Sequence, residues 1–539
     1  MASVVNINDV LDGHEALDLH CLDRIHLNAY VPNLQVGGQV VSYLTAHLGN
    51  PVPSPAIFQQ MGERFRKAVA GFAQRNDIPV LRLKRPNRTR WDDRKIDHVR
   101  PHLERAEREG RYGVVAIVAA QEIQRVFMGY QRSKGEHGKA VNFGFDKADR
   151  RVTVFYFYIH DPDFGAGFIK ICSYFPYPAK VWVNGHEWAK RQADLEGLSY
   201  TSLANGFATC ADPARLQAIC DRLGPDHLQG FFDRWMASIP APLPHADREA
   251  YWWELSMRQI EVSRTIVFDD PRRARAFFEA LVADNVDIGR PSEVAVVFAR
   301  QVRTTTKGVF RTRVFTPGTE VKMDFTYKNS RVKQYLKEGR ALRIETVINK
   351  PKDLGVLARI CHLPELVDKA RGVNHRLLMI ERAGQGCAIG SALFERIQQP
   401  YTREGQRTGA LRFGDTRVMA LAGALAVSVH AVAGFTNKSL RSLVAGLLDA
   451  DYTPSRMSYD LRRLRLHRII ERLPQTNTYV LTPEGARVAI FYSKIHARLL
   501  RPLLAADQPP APLELRRALG TIDRSIEQYV ANARLGAAA

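Results

Sequence analysis

Apolar and polar positions repeat along the chain with two periods, and each period predicts a different kind of element. Near the carboxyl end, Met457, Leu461 and Leu464 recur at the spacing of one helix face. Thr453 precedes this stripe and is a residue type that caps helices. The elements predicted around this helix are a helix over 436–448, short strands at 469–473 and 479–481, and a helix that begins at 482–485. The segment therefore predicts a small helical domain with one hairpin.

The centre of the chain is rich in β-branched and aromatic residues, which favour strands. Runs of this kind occupy 152–158, 168–172 and 180–183, with short connections between them. Such connections are typical of an antiparallel sheet with helices packed on it. A proline-rich linker at 240–244 separates this region from a second β-rich block at 294–347. The pattern therefore predicts an α+β fold with two β-rich antiparallel-sheet lobes and flanking helices.

The chain is strongly basic, with 77 Lys and Arg against 56 Asp and Glu in 539 residues, a formal net charge of +21. The basic residues are spread along the chain, which indicates a polyanionic partner, DNA or RNA. The six cysteines contain no C-x-x-C pair, which argues against a zinc finger. No secretory signal is visible, and no apolar run is long enough to span a bilayer. We therefore expect a cytoplasmic protein with no membrane partner.

Four arginines lie off the apolar stripe of the helix after Thr453, at Arg456, Arg462, Arg463 and Arg465. They exceed what solubility requires, and they suit contacts with a phosphate backbone. The order of helix, helix and hairpin resembles the winged helix-turn-helix domain of MarR-like regulators. The resemblance implies that this helix enters the major groove of DNA while the hairpin touches the backbone. The alternative is a winged helix that binds protein and carries a solvated basic face.

The second β-rich block contains the residues that best suit catalysis. Strand-like runs at 332–336 and 341–347 predict a β-hairpin that brings Tyr335 near Arg343 and Glu345. A tyrosine hydroxyl can attack a phosphodiester when a cation or a carboxylate-held metal stabilises the phosphate oxygens. These three residues are therefore the catalytic candidates, and Mg²⁺ or Mn²⁺ would be their cofactor. The basic residues of the hairpin assigned to nucleic-acid contacts are Arg331 and Lys333. The alternative is an exposed basic hairpin with Tyr335 packed and Glu345 in a salt bridge.

This hairpin resembles the active-tyrosine region of rolling-circle plasmid and phage replication initiators. In those proteins an Asn-Ser-Arg step, a Tyr-x-Lys strand and an Arg-x-Glu strand follow one another, as 329–331, 335–337 and 343–345 do here. The resemblance implies a mobile-element or plasmid-type initiator that nicks DNA through Tyr335. The His-hydrophobic-His metal motif of the larger family is not in this sequence, so no metal ligands are assigned.

Two further groups of residues suit contacts with nucleic acid or with a metal. The basic loop 84–91 carries Arg88, Arg90 and Trp91, which suit phosphate contacts and base stacking; the alternative is a solvated loop with a partly buried tryptophan. The candidate ligands for Mg²⁺ or Mn²⁺ are His160, Asp161, Asp163, His186 and Glu187. Their spacing matches no ligand template, and turn acids beside a helix-starting histidine are the alternative account. A metal nuclease, the weakest interpretation, would use Glu122, Asp161, Asp163 and Glu187.

Over most of its length the chain also resembles a widespread group of uncharacterised bacterial proteins. The shared segments are 184–192, 342–346 and the terminal winged helix. The predicted domains are a mixed α/β N-terminal region at 1–110, an antiparallel β-rich α+β lobe at 111–239, a second such lobe at 246–350, a helical connector at 351–414, the winged helix at 415–505 and a C-terminal helix at 513–533.

The leading interpretation is a DNA-binding protein, with nicking through Tyr335 as its more specific form. The contrasting interpretation is a non-enzymatic winged-helix transcriptional regulator or an RNA-binding scaffold, in which the same arginines only bind. A homodimer is a further expectation, because helices beside winged helices often form dimer contacts.

Overall fold

The computed structural model of the protein describes residues 11–50, 52–82, 95–131, 143–244, 250–285, 310–315, 321–384, 391–403, 405–427, 435–448, 450–474, 476–495 and 521. The basic loop with Arg88, Arg90 and Trp91 and the helix expected at 513–533 lie outside these residues. The described chain has an α+β fold, as the sequence predicts. None of its described helices combines the length and the apolar character needed to cross a membrane.

The amino-terminal part of the chain forms half of a large sheet and the helices around it. Its elements are β1 (Glu15–Tyr30), α1 (Gly37–Ser42), α2 (Pro55–Arg75), β2 (Val80–Arg82), α3 (Lys95–Arg108), β3 (Gly113–Gln131), β4 (Phe143–Asp161), β5 (Gly165–Cys172), β6 (Ala179–Asn184), α4 (Gly185–Leu195), β7 (Tyr200–Leu203), β8 (Gly206–Cys210), α5 (Pro213–Arg222) and α6 (Pro225–Ser238). The strands expected at 152–158, 168–172 and 180–183 are present as parts of β4, β5 and β6, and they pair antiparallel.

The next part of the chain forms the other half of the sheet. Its elements are β9 (Glu254–Phe268), α7 (Pro271–Asn285), β10 (Phe310–Phe315), β11 (Lys322–Tyr327), β12 (Ser330–Lys337), β13 (Ala341–Ile348) and α8 (Leu363–Gly384). The expected hairpin is β12 and β13. Its register places Tyr335 opposite Arg343 and Lys333 opposite Glu345, so the predicted pairing is confirmed.

A separate apolar cluster organises the carboxyl-terminal elements. These are α9 (Ser391–Gln398), β14 (Tyr401–Arg403), β15 (Gln406–Thr408), α10 (Thr416–Val427), α11 (Asn437–Leu448), α12 (Pro454–Leu466), β16 (Ile470–Arg472), β17 (Tyr479–Leu481) and α13 (Pro483–Ile495). The stripe of Met457, Leu461 and Leu464 is buried in this cluster. Thr453 caps α12 by accepting the backbone N–H of Arg456. The elements therefore lie where the apolar pattern predicts them.

One sheet of eleven strands contains both β-rich regions, in the order β10-β11-β12-β13-β9-β1-β6-β5-β4-β3-β2. Neighbouring strands are antiparallel except β2 and β3, which are parallel. The strands that the sequence divides between two lobes are joined at the centre, where β1 and β9 pair over most of their length.

The two halves of this sheet repeat one arrangement. In one half β3 to β6 form a meander whose last strand pairs with β1. In the other half β10 to β13 form a meander whose last strand pairs with β9. The two halves meet at β1 and β9, which are antiparallel neighbours.

The two faces of the sheet are covered differently. On one face α2 and α8 bury an apolar layer; Asn374 of α8, for example, accepts from the Thr346 hydroxyl at 2.6 Å. We call the other face the open face. Helix α3 packs on it over β3 and β4, while α4 and α5 pack against β1. Between them, side chains such as Trp182 of β6 and His26 of β1 are only half-buried. The candidate site lies on this face.

Candidate active site

Arg343 lies at the centre of a charged cluster where β1, β9 and β13 meet on the open face. Its side chain is fully buried. The guanidinium donates to Asp23 Oδ2 at 2.8 Å, to Glu345 Oε1 at 3.2 Å and to His186 Nε2 at 2.7 Å. It also donates to the Thr265 hydroxyl at 2.5 Å. Although burial opposes the charge, the two carboxylates raise the pKa of Arg343, so this cation is permanent.

Three carboxylates converge beside this cation. Oxygen atoms of Asp23, Glu261 and Glu345 all lie within 4.8 Å of one another. Burial raises the pKa of Asp23, but Arg343, His186, Asn205 and Arg24 together outweigh burial and hold that pKa below its usual range. Glu261 differs, because its carboxylate accepts from the Gln259 amide at 2.7 Å and burial raises its pKa. Clustered carboxylate oxygens of this kind suit Mg²⁺ or Mn²⁺.

Tyr335 borders the carboxylates from β12. Its hydroxyl donates to Glu345 Oε1 at 2.8 Å, and Lys333 Nζ lies 3.6 Å from the other oxygen of Glu345. The ammonium of Lys322 lies 4.6 Å from the centroid of the Tyr335 ring. Burial, and then the charge of Glu345, raise the pKa of Tyr335, so its hydroxyl is protonated at neutral pH. The Tyr335 hydroxyl and the Glu345 carboxylate are therefore a proton donor and its acceptor already in contact.

A β-bulge and a close helix approach build the cluster. The register between β1 and β9 shifts between Leu22 and Ile25, and Asp23 lies in this bulge. Asn184 caps α4, since its side chain accepts the backbone N–H of His186 at 2.9 Å. A Cβ at Gly185 would lie 1.8 Å from the carbonyl oxygen of Leu22. Only glycine allows α4 to start so close to β1, and this brings His186 to Arg343.

The residues that the sequence selects for catalysis, Tyr335, Arg343 and Glu345, do come together. Asp23 and Glu261 were missed. Each is a buried acid on a strand that carries other charged and polar residues, so the sequence did not single it out. In addition, β9 was not predicted as a strand over its length, so its pairing with β1 could not be anticipated.

The acidic and imidazole residues considered as ligands near the end of β4 have structural partners instead. Asp161 accepts the backbone N–H of Asp163 at 2.8 Å, which closes their turn. Arg234 then bonds both carboxylates, at 3.0 Å and 2.9 Å. The His160 ring lies 3.3 Å from the guanidinium of Arg191. These contacts explain the side chains as a turn and an ion-pair network.

The other candidates for a metal nuclease are dispersed as well. His186 belongs to the Arg343 cluster, whereas Glu187 bonds Lys190 on its own helix at 3.0 Å. Glu122 accepts from the Tyr156 hydroxyl at 2.5 Å. Within the described ranges, the one group of three side chains close enough to share a metal ion is Asp23, Glu261 and Glu345. Neither of the two sets of metal candidates considered from the sequence therefore forms a single site.

The basic residues assigned to the hairpin lie at the edge of the cluster. Lys333 faces Glu345, as described above. Arg331 is exposed, and its guanidinium lies 3.3 Å from the carboxylate of Asp324 on β11. Both cations therefore have acidic partners, Glu345 for Lys333 and Asp324 for Arg331.

The four arginines of α12 divide into two kinds. Arg456, Arg462 and Arg465 are exposed on the outer face of the helix. Arg463 is mostly buried, because its guanidinium donates to the carbonyl of Gly409 at 3.2 Å and lies 3.8 Å from Asp460. Arg463 therefore holds α12 in place and is not free to contact phosphate.

Asp460 anchors α12 from within. Its carboxylate is fully buried and accepts from Arg417 of α10 at 2.7 Å and from the Tyr452 hydroxyl. Burial and this contact raise the pKa of Tyr452 to about 12. The outer arginines are thus presented on a rigidly held helix.

Comparisons of the chain with protein-family models, with curated proteins and with solved structures found no match.

Proposed function

We propose that the protein is a DNA-binding enzyme that cuts one strand through Tyr335 and holds it as a phosphotyrosine. The single observation that carries this proposal is the hydrogen bond from the Tyr335 hydroxyl to Glu345 within the three-carboxylate cluster. A nucleophile, its proton acceptor and fixed cations are the parts that such a transfer requires.

The reaction balances with groups of this site. Glu345 accepts the proton of Tyr335 as the phenolic oxygen bonds to phosphorus. The bond from phosphorus to one bridging oxygen breaks, and that oxygen leaves with a proton from solvent. Lys333 lies beside Glu345 and supplies positive charge for the non-bridging oxygens. No oxidant or reductant is needed.

Asp23, Glu261 and Glu345 are the residues that would hold a divalent cation. Their carboxylate oxygens fit a hard ion, and Glu261 has its pKa raised by burial, which is the condition that a bound cation relieves. Bound there, Mg²⁺ or Mn²⁺ would neutralise phosphate charge and favour the phenolate of Tyr335.

The carboxyl-terminal unit would supply affinity for duplex DNA as a winged helix. Helices α11 and α12 followed by the β16–β17 hairpin have the order of such a domain, and Phe435 bridges to Tyr479 beside the hairpin. The recognition helix would be α12, with Arg456, Arg462 and Arg465 on its exposed face.

The test is a search for a covalent adduct. The protein is mixed with labelled single-stranded and supercoiled DNA under Mn²⁺, denatured, and resolved by electrophoresis. We expect an adduct with the wild type and with Tyr327→Phe, and none with Tyr335→Phe. Tyr327 is a matched control, because it lies on β11 and is buried on the opposite face of the sheet. Loss of the adduct in both variants, or its persistence in Tyr335→Phe, would contradict the assignment.

A second candidate is a non-enzymatic nucleic-acid-binding regulator or scaffold. The observation that favours it is the saturated state of Arg343, since a buried cation with four acceptors is also what a purely structural network contains. Salt-sensitive DNA binding with no adduct under Mg²⁺ or Mn²⁺ would select this function.

A further inference from the structure

The open face carries a row of aromatic side chains that leads to the carboxylate cluster. Phe168 of β5 pairs with Trp182 of β6, which pairs with His26 of β1, which pairs with Gln259 of β9. Gln259 donates to Glu261 of the cluster. We call Phe168, Trp182 and His26 the aromatic row. From strand spacing, the row and Gln259 together extend about 14 Å across the sheet.

The rings of the row are arranged as a continuous apolar platform. The centroids of Phe168 and Trp182 are 5.9 Å apart with an angle of 13° between the planes. His26 meets Trp182 edge-on at 6.3 Å. All three rings are half-buried, whereas apolar residues of the same strands that face the other way are fully buried. Burial lowers the pKa of His26 to about 4, so its ring is neutral at physiological pH.

Cations flank this platform on both sides. Two residues along these strands and on the same face, Lys170 of β5 lies opposite Lys180 of β6. Lys180 is half-buried, whereas Lys170 is buried and forms an ion pair with Glu122. Arg24 and Arg258 are exposed beside His26 and, after burial, are the main causes of its lowered pKa. Burial, together with Arg258 and Lys170, lowers the pKa of Lys180 to about 8. A cation whose charge is disfavoured by other cations is stabilised when a phosphate arrives.

The opposing negative charge is small. Glu122 is the carboxylate that acts on Lys170 and Lys180, and it is already shared with Lys95 and the Tyr156 hydroxyl. The described surface around the aromatic row therefore combines rings with an excess of positive charge. An apolar protein partner would not need this charge, and the bases of a duplex are already stacked on one another. A strand with unpaired bases satisfies both features.

We propose that the aromatic row and its flanking cations bind single-stranded DNA and guide it toward Tyr335. Bases stack on Trp182, Phe168 and His26, while phosphates contact Lys180 and Arg258. The strand then passes Gln259 to enter the carboxylate cluster. This inference rests on the proposed function for its end point, but the binding surface is testable without any cleavage.

The experiment measures binding by fluorescence anisotropy in the Tyr335→Phe protein with EDTA, so that no strand is cut. The probes are a labelled oligothymidylate, an oligouridylate of the same length and a mixed-sequence duplex. We expect Trp182→Ala and Phe168→Ala each to weaken oligothymidylate binding about tenfold and to leave duplex binding unchanged. Lys180→Gln should reduce the salt slope for the single strand by about 0.7.

Trp252→Ala is the matched control, since Trp252 is an exposed tryptophan outside the row. It should bind like the parent protein. Circular dichroism of each variant separates loss of binding from loss of folding. A well-folded Trp182→Ala variant that binds oligothymidylate normally overturns the inference. The inference is also overturned if the row variants lose duplex binding to the same extent, or if the parent protein prefers oligouridylate to oligothymidylate. It is overturned as well if the variants change the oligomeric state of the protein and not its binding.

The two proposals fail separately. Suppose that an adduct forms at Tyr335 and that Trp182→Ala binds single-stranded DNA normally. These results would contradict the proposed single-strand-binding surface and would support the cleavage proposal. Weakened single-strand binding by the row variants with no adduct would do the reverse.

Discussion

Nη2 of Arg343 lies 2.8 Å from Oδ2 of Asp23, and this buried ion pair joins residues 320 positions apart in the chain. It crosses β9 to connect β13 with β1, so it ties together the two halves of the sheet. Both side chains are almost completely buried. In the protein interior the attraction between their charges is only weakly screened. The cluster is therefore a structural joint as well as a candidate site.

Removing this cation should destabilise the fold strongly. We expect Arg343→Met to lower the free energy of unfolding by about 3–5 kcal/mol, because Asp23 and Glu345 would remain buried without their counter-charge. Urea unfolding followed by tryptophan fluorescence measures the change. Arg331→Ala, an exposed arginine of the same hairpin, should change stability by less than about 1 kcal/mol. Equal effects of the two variants would show that the buried network contributes little.

A second buried acid should make stability depend on pH. Glu381 of α8 is fully buried and accepts from Gln334 at 2.9 Å, and burial raises its pKa from 4.5 to about 8. Between those values the folded protein retains a proton that the unfolded chain releases. Stability therefore falls as pH rises, by up to about 1.4 kcal/mol per pH unit from this group.

Glu381→Gln removes this proton and keeps the shape of the side chain. We expect the variant to gain stability over the wild type at pH 8 and to gain little at pH 4. Urea midpoints across this range test the difference. Glu279→Gln, on the exposed face of α7, is the control and should follow the wild type. A parallel pH profile for Glu381→Gln would contradict the assignment.

What sequence pattern predicts here is local structure. The β12–β13 hairpin was predicted, with Tyr335 near Arg343 and Glu345, because the two strand-like runs are separated by only a short turn. The cap at Thr453 and the buried stripe of α12 were likewise predicted from spacing alone. The pairing of β1 with β9 was not predicted, since local sequence patterns do not identify a pairing strand more than two hundred residues away.

The same reason limits the candidate site. Tyr335, Arg343 and Glu345 lie on one hairpin and were grouped correctly. Asp23 and Glu261 lie beside them only because β1 and β9 pair at the centre of the sheet. The bulge in β1 that contains Asp23 could not be predicted from the sequence of either strand. For Arg463 the helical spacing suggested an exposed position, yet the contact with Gly409 comes from a distant segment. Residues gathered by long-range packing were the ones missed.

Divalent cations should stabilise the protein through the carboxylate cluster. An ion at ten times its dissociation constant adds about 1.4 kcal/mol if it binds only the folded state. We expect Mn²⁺ to raise the thermal midpoint of the wild type, and Glu261→Gln to abolish the shift. Glu63→Gln, an exposed residue of α2, should keep it. A shift of equal size in the Glu261 variant would place the ion elsewhere.

The exposed arginines of α12 should control the salt dependence of duplex binding. Each phosphate contact contributes about 0.9 to the slope of log K against log salt, so Arg462→Ala with Arg465→Ala should lower it by about two units. Arg463→Ala provides the comparison within the same helix. Its guanidinium bonds Gly409, so its loss should lower the thermal midpoint of this unit and leave the slope unchanged. Anisotropy with a labelled duplex at several salt concentrations measures the slopes. If Arg463→Ala lowered the slope and the double variant did not, the outer face of α12 would not be the surface that contacts DNA.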